Sequence, residues 1–155
     1  MIVYTILLFF TDGEMNMDKI LINAYAKINI TLDVLKRRTD GYHELEMIMQ
    51  SIDVFDSVEV RKTDMGEIRV FSDSSKVPED KTNIAYKAAE KMFDFCGIKS
   101  GVDIYINKRI PVAAGLAGGS ADGAAVIKAI RALFVPNENI EKFNSLAGSI
   151  GKDLP

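Results

Sequence analysis

An α+β domain of two layers, a mixed sheet with helices on one face, is what this sequence predicts. Three observations lead there. Residues 20–34 alternate with a period of two, and the stretches 84–93 and 126–134 place apolar residues at helical spacing. Strand-like runs also come first in the chain, with the helical runs concentrated later. The 155 residues, 48% hydrophobic and 26% charged, suit one domain with a sizeable core.

The chain opens on an apolar run, residues 2–10, too short to span a bilayer and without the flanks of a signal peptide. Thr11, Asp12, Gly13 and Glu14 interrupt it, and Met15 or Met17 are alternative starts. Residues 1–17 are therefore expected to be an extension of a domain covering 18–155, with an added edge strand as the alternative.

In residues 20–34, Ile20, Ile22, Ala24, Ala26, Ile28, Ile30, Leu32 and Val34 share one parity, which assigns them to the core face. Tyr25, Lys27 and Asn29 share the other, in steps of about 6–7 Å. A lysine on a strand face is ordinarily just solvated. Asp40 and Gly41 signal a hairpin turn, and Tyr42, His43, Glu44 and Leu45 open the returning segment. Separate strand-like runs are expected at 47–52, 57–61 and 67–71. Asp80 or Thr82 is expected to cap a helix with the stripe Ile84, Ala85, Ala88, Ala89, Met92 and Phe93. Val102, Ile104 and Ile106 alternate as a further strand. Asn137 is expected to cap a last helix carrying Ile140, Phe143, Leu146, Ala147 and Ile150.

Composition narrows the function. A net charge of −3 argues against a dedicated nucleic-acid binder. A single histidine, His43, rules out a multi-histidine metal site, and the single cysteine, Cys96, reads as a small buried residue. A reducing cytoplasm fits. No membrane segment is expected, and oligomeric state is not readable.

The most informative stretch is Pro111, Val112, Ala113, Ala114, Gly115, Leu116, Ala117, Gly118, Gly119, Ser120 and Ala121, leading into a helix. Small side chains let a ligand approach the backbone, and the free N–H groups of a helix start attract anions, phosphate above all. A Walker loop needs a lysine that is missing here. A flexible or tightly packed glycine loop is the alternative. If the loop binds nucleotide, Gly118→Val is expected to abolish binding and leave the fold largely intact.

Taken in order, Ala24 to Asn29, Asp40 to Leu45, Pro111 to Ala121 and Gly151-Lys152-Asp153-Leu154-Pro155 resemble the motifs of the GHMP superfamily of small-molecule kinases. Leu154 stands where the family has Val, and Gly123 where it usually has Ala. The resemblance covers residues 18–155 and implies an N-terminal domain of the fold seen in ribosomal protein S5 domain 2. It implies ATP and Mg²⁺ as cofactors, with residues 111–121 as the ATP loop and Ser120 near Mg²⁺, or capping the helix. It implies Asp153 as the group that accepts or orients a hydroxyl proton, with Lys27 beside it. The branch resembled phosphorylates a cytidyl diphosphate of methylerythritol in non-mevalonate isoprenoid synthesis. It implies Asn29, Tyr42 and His43 as substrate residues; without the motif, Tyr42 reads as a core aromatic and His43 as a turn residue. Asn83 is either an adenine contact or a helix cap.

Members of the family carry a second domain after the Asp153 segment, and the expectation here is that this C-terminal domain is absent. A catalytically silent nucleotide-binding fragment is the second reading. An RNA-binding domain is the third, and the negative charge weighs against it.

Overall fold

Two long antiparallel strands run through the structure, a computed structural model that describes residues 6–8, 18–37, 41, 43–143, 146 and 150. Strand β1 covers Ile6–Leu8, β2 Lys19–Arg37, β3 His43–Thr63, β4 Ile68–Ser72 and β5 Gly101–Asn107. They form one sheet in the order β1-β2-β3-β5-β4, antiparallel throughout except for the β4–β5 pair. Helix α1, Ile84–Cys96, crosses between the two parallel strands, as a parallel pair requires. Helix α2, Gly118–Phe134, follows β5 and the glycine loop, and a 3₁₀ turn spans Ile140–Phe143. The mixed sheet with its helices on one face is as the sequence predicts. Ile6 to Leu8 pair with Ile22 to Ile20, so the described part of the N-terminal run adds an edge strand.

The core lies between the sheet and the two helices. Ile20, Ile22, Ala24, Val58, Val60, Ile104 and Ile106 meet Ala85, Ala88, Ala89, Met92, Val126, Ala129 and Ile130 across it. Alanines on both helices let them approach the sheet closely. Phe143, Leu146 and Ile150 pack on the same core, as their spacing predicts.

Several local expectations are corrected. The runs at 47–52 and 57–61 are one continuous strand, β3, because pairing with β2 carries through the irregularity opposite Ala26. Helix α1 is capped by Asn83, whose Oδ1 accepts from the Ala85 amide at 2.8 Å. Asp80 instead accepts from the Thr82 amide and hydroxyl. The 3₁₀ turn opens on Asn139, whose Oδ1 accepts from the Glu141 amide at 3.0 Å, rather than on Asn137.

The largest correction concerns β2. Its alternation puts one face in the core only as far as Ala26; Ile30, Leu32 and Val34 are 59%, 49% and 62% exposed. Asn29 pairs with Met49 and Thr31 with Ile48, so Ile30 is an extra residue, a β-bulge. Beyond it the faces exchange. Partners Ser51, Met49, Met47 and Leu45 alternate without interruption on β3, so Lys27, Asn29, Leu32 and Val34 share one face. Past Ala26 the β2–β3 ribbon runs on beyond the helices, with both faces exposed.

Candidate functional site

The glycine loop is held by strain and by its neighbours. Ala113, Gly115 and Ala117 all sit in the left-handed region, at φ of 61°, 73° and 59°. Two alanines there cost about 1 kcal/mol each, a conformation that surrounding contacts must enforce. One such contact is to β2: the backbone amide of Lys27 donates to the carbonyl of Leu116 at 3.1 Å. Ala117 is the N-cap of α2 and offers no side-chain cap, so the first amides of the helix keep their capacity for an outside acceptor. Ser120 lies inside the helix and does not cap it, which removes that alternative.

Above the loop lies a cavity of about 440 Å³, within the range of small-molecule sites. Pro111 to Ser120 line one side together with Lys108 and Asp122; Lys76, Val77, Pro78, Thr82, Asn83 and Ile84 line the other. Ala121, the last residue of the expected ATP loop, packs against the core instead. Asn83 lines the cavity, but its amide is committed: Nδ2 donates to the Pro78 carbonyl at 2.6 Å while Oδ1 caps α1. Capping therefore accounts for Asn83.

Beneath the loop is a buried ionic cluster that sequence reasoning missed. Lys108 Nζ donates to Asp56 Oδ2 at 2.5 Å and to Asp122 Oδ2 at 2.9 Å. Asp56 Oδ1 accepts from the backbone amides of Arg109 and Ile110, at 2.6 and 2.9 Å. Burial drives the Asp122 carboxyl up to about 7; the Lys108 charge opposes this and the Asp56 charge adds to it. Burial works to lower the Lys108 ammonium, but the Asp122 and Asp56 carboxylates outweigh it and hold it above its ordinary value. Both residues flank the loop motif. Nothing in their spacing marks them as a pair, because 52 and 14 positions separate the lysine from its partners.

Lys27 and Asn29 are brought together as the alternation predicts, with Lys27 Nζ donating to Asn29 Oδ1 at 3.0 Å. His43 pairs with Arg37 at the far end of the same ribbon face. Ten positions of β2 separate Arg37 from Lys27, at most about 33 Å of extended chain. The structure therefore puts His43 on the face of Lys27 without bringing it to Lys27. Tyr42 and Asp153 lie outside the described residues. Among those described, no three or more His, Cys, Asp or Glu side chains converge to hold a metal ion. No helix of the described residues is long and apolar enough to cross a membrane.

Residues 83–154 match the family described as GHMP kinases N terminal domain. Over 134 residues the chain is 52% identical to the 4-diphosphocytidyl-2-C-methyl-D-erythritol kinase of Clostridium acetobutylicum, covering 86% of this chain and 48% of that one. The protein of the same name from Acetivibrio thermocellus is 52% identical over 139 residues, 90% of this chain and 49% of its own length. A crystal structure of 4-(cytidine 5'-diphospho)-2C-methyl-D-erythritol kinase superposes with a TM-score of 0.73 at 36% identity, over 87% of this chain and 47% of that one. The chain thus spans about half the length of the curated relatives it matches. Family match, half-identical relatives and shared fold agree, and this chain carries a GHMP kinase N-terminal domain.

Proposed function

We propose that this chain forms the nucleotide-binding side of a cytoplasmic kinase that moves the γ-phosphate of ATP to a hydroxyl of 4-diphosphocytidyl-2-C-methyl-D-erythritol, in non-mevalonate isoprenoid synthesis. The observation that carries the reading is the bond between the Lys27 amide and the Leu116 carbonyl, 3.1 Å. It joins an uncapped, anion-receptive helix start to the strand bearing the one ammonium expected to do chemistry. The relatives' names supply the acceptor.

Phosphoryl transfer asks little covalent chemistry of a protein; positioning and charge stabilisation do most of the work. Bound ATP supplies the phosphoryl group, and Mg²⁺ neutralises charge on its oxygens. The residues present suit that pair: residues 111–120 line the cavity, the start of α2 has no side-chain cap, and Ser120, by its motif, is the hydroxyl that would meet the metal ion. Lys27, steered by Asn29, stabilises negative charge on the attacking oxygen. By its motif, Asp153 accepts or orients the hydroxyl proton, and a neighbouring ammonium keeps such a carboxylate ionised at neutral pH. The acceptor lies along the ribbon face from Asn29 in the direction of His43, its reacting end at Lys27, and Tyr42 is a substrate residue by its motif alone.

A second reading, nucleotide binding without turnover, draws on the exposed ribbon. Leu32, Val34, Leu45 and Met49, on the same ribbon face as Lys27, are 44–62% exposed. One experiment separates the two: titrate the chain with ATP, then assay ATP-dependent phosphorylation of the diphosphocytidyl acceptor. Binding with turnover supports the kinase, and binding without turnover supports the silent domain. If no nucleotide binds, both fail.

A further inference from the structure

The geometry points to Lys108 as a positioning residue of the nucleotide site: clasped between Asp56 and Asp122, it sets the shape of the glycine loop without acting on the reacting atoms. This inference rests on the nucleotide reading above.

Three observations carry it. First, Lys108 joins two elements that must keep register for the loop to hold its form. Asp56 stands on β3, and Asp122 is in the second turn of α2. Second, Asp56 also binds the chain leading into the loop, through the amides of Arg109 and Ile110, while the Lys108 amide donates to Asp73 Oδ1 at 2.9 Å. Both ends of residues 111–117 are thereby referred to one ammonium. Third, the helix start is seated on that ammonium. Gly118 and Asp122, four apart, share a helix face. A Cβ at Gly118 would stand 3.1 Å from Lys108 Nζ and 3.0 Å from Ile110 Cγ2. A side chain there would be tight against the clasp, because α2 starts close to it.

The cluster is also built for rigidity rather than solvation. The side chains of Lys108, Asp56 and Asp122 are 6%, 0% and 5% exposed. An ion pair so buried has few ways to relax when one member is removed, so the backbone around it must move. That backbone is the loop.

The test measures ATP affinity of the folded chain by calorimetry, together with melting temperature and the amide resonances of Gly115, Ala117 and Gly119. Lys108→Met keeps most of the volume and removes the clasp. It is expected to weaken ATP binding about tenfold to a hundredfold and to shift the loop resonances even without ligand. Asp122→Asn keeps an oxygen that accepts from Lys108 and is expected to stay within about threefold, whereas Asp122→Leu behaves like Lys108→Met. The Asp122 pair decides the matter if Lys108→Met fails to fold. A purely structural cluster would lower the melting temperature while folded variants kept wild-type affinity and loop resonances; that result overturns the proposal. If the wild-type chain binds no ATP, the nucleotide reading falls and this one with it. Wild-type binding with unchanged variants defeats the positioning role alone.

Discussion

The amide of Lys27 and the carbonyl of Leu116 are joined by a single hydrogen bond, and through it the glycine loop takes its place beside β2. The two residues are far apart in sequence, yet the bond puts the apex of the anion-receptive loop next to the strand position whose side chain is the best candidate for charge stabilisation. The side chain itself points along the ribbon to Asn29.

That arrangement predicts a clean separation of activity from stability at Lys27. Among the described residues its ammonium bonds to Asn29 at the surface, so Lys27→Ala is expected to move the melting temperature by no more than a degree or two. The same change is expected to lower the phosphorylation rate about 100-fold or more. Paired thermal melts and rate assays check this; a variant that keeps its rate removes Lys27 from the chemistry.

The two adjacent glycines at the start of α2 are expected to respond in opposite ways. Gly118→Ala drives a methyl into Ile110 and the Lys108 ammonium and should destabilise the fold by about 1–3 kcal/mol. The expectation that Gly118→Val leaves the fold intact meets a tight contact here, since a Cβ would stand 3.0 Å from Ile110 Cγ2. Gly119→Ala meets only Ile84 Cδ1, at 3.3 Å, on the cavity side, and should cost little stability while weakening ATP binding. Urea titrations and calorimetry on the two variants distinguish them.

Ala113 and Ala117 hold left-handed backbone that glycine adopts freely. Ala117→Gly is expected to leave stability level or raise it by up to about 1 kcal/mol. Ala117→Val should lower it by more than that, since a β-branched side chain is worse still at positive φ. Equilibrium unfolding of both variants is the check.

Ile22 and Leu32 have the same parity in β2, but Leu32 lies on the ribbon beyond the helices, so the two should differ in energetic weight. Ile22→Ala empties a site 1% exposed and should cost about 2–5 kcal/mol. Leu32→Ala, at a site 49% exposed, should cost less than about 1 kcal/mol. Equal costs would place both in the core and contradict the exposed ribbon.

Lys128 predicts a pH dependence. Burial lowers its ammonium from 10.5 to about 8. Between those values the unfolded chain binds more protons at this site than the folded chain, so this residue makes stability rise with pH from about 8 to 10.5. Below about 8 the lysine is charged in both states and its contribution is flat. Lys128→Met should remove that rise. It is measured as the wild-type minus variant difference in unfolding free energy at pH 7, 9 and 10.5, and a constant difference would contradict it.

Much of the molecule is legible before folding is considered. Period-two alternation identifies β2 as far as Ala26, helical spacing identifies α1 and α2, and Asp40-Gly41 marks the hairpin between Arg37 and His43, with Gly41 at φ 86°. The glycine loop and its lining of a cavity follow from local chemistry too, because small residues ahead of a helix leave amides free whatever the tertiary context. The candidate pair Lys27 and Asn29 is set by strand period alone.

What the tertiary structure decided is everything that depends on residues meeting across the fold. The bulge at Ile30 is a property of two strands in register, so no pattern within β2 announces that Leu32 and Val34 change face. Asp56, Lys108 and Asp122 look like ordinary charged residues in sequence; only packing of β3 and α2 on either side of the loop strips them of water and makes them one cluster. Gly118 reads as a phosphate contact until the helix is seated, and then it is the gap that lets α2 rest on Lys108. Local periodicity is written in neighbouring residues, whereas burial, and the pairing of charges it demands, exists only once distant segments exclude water together.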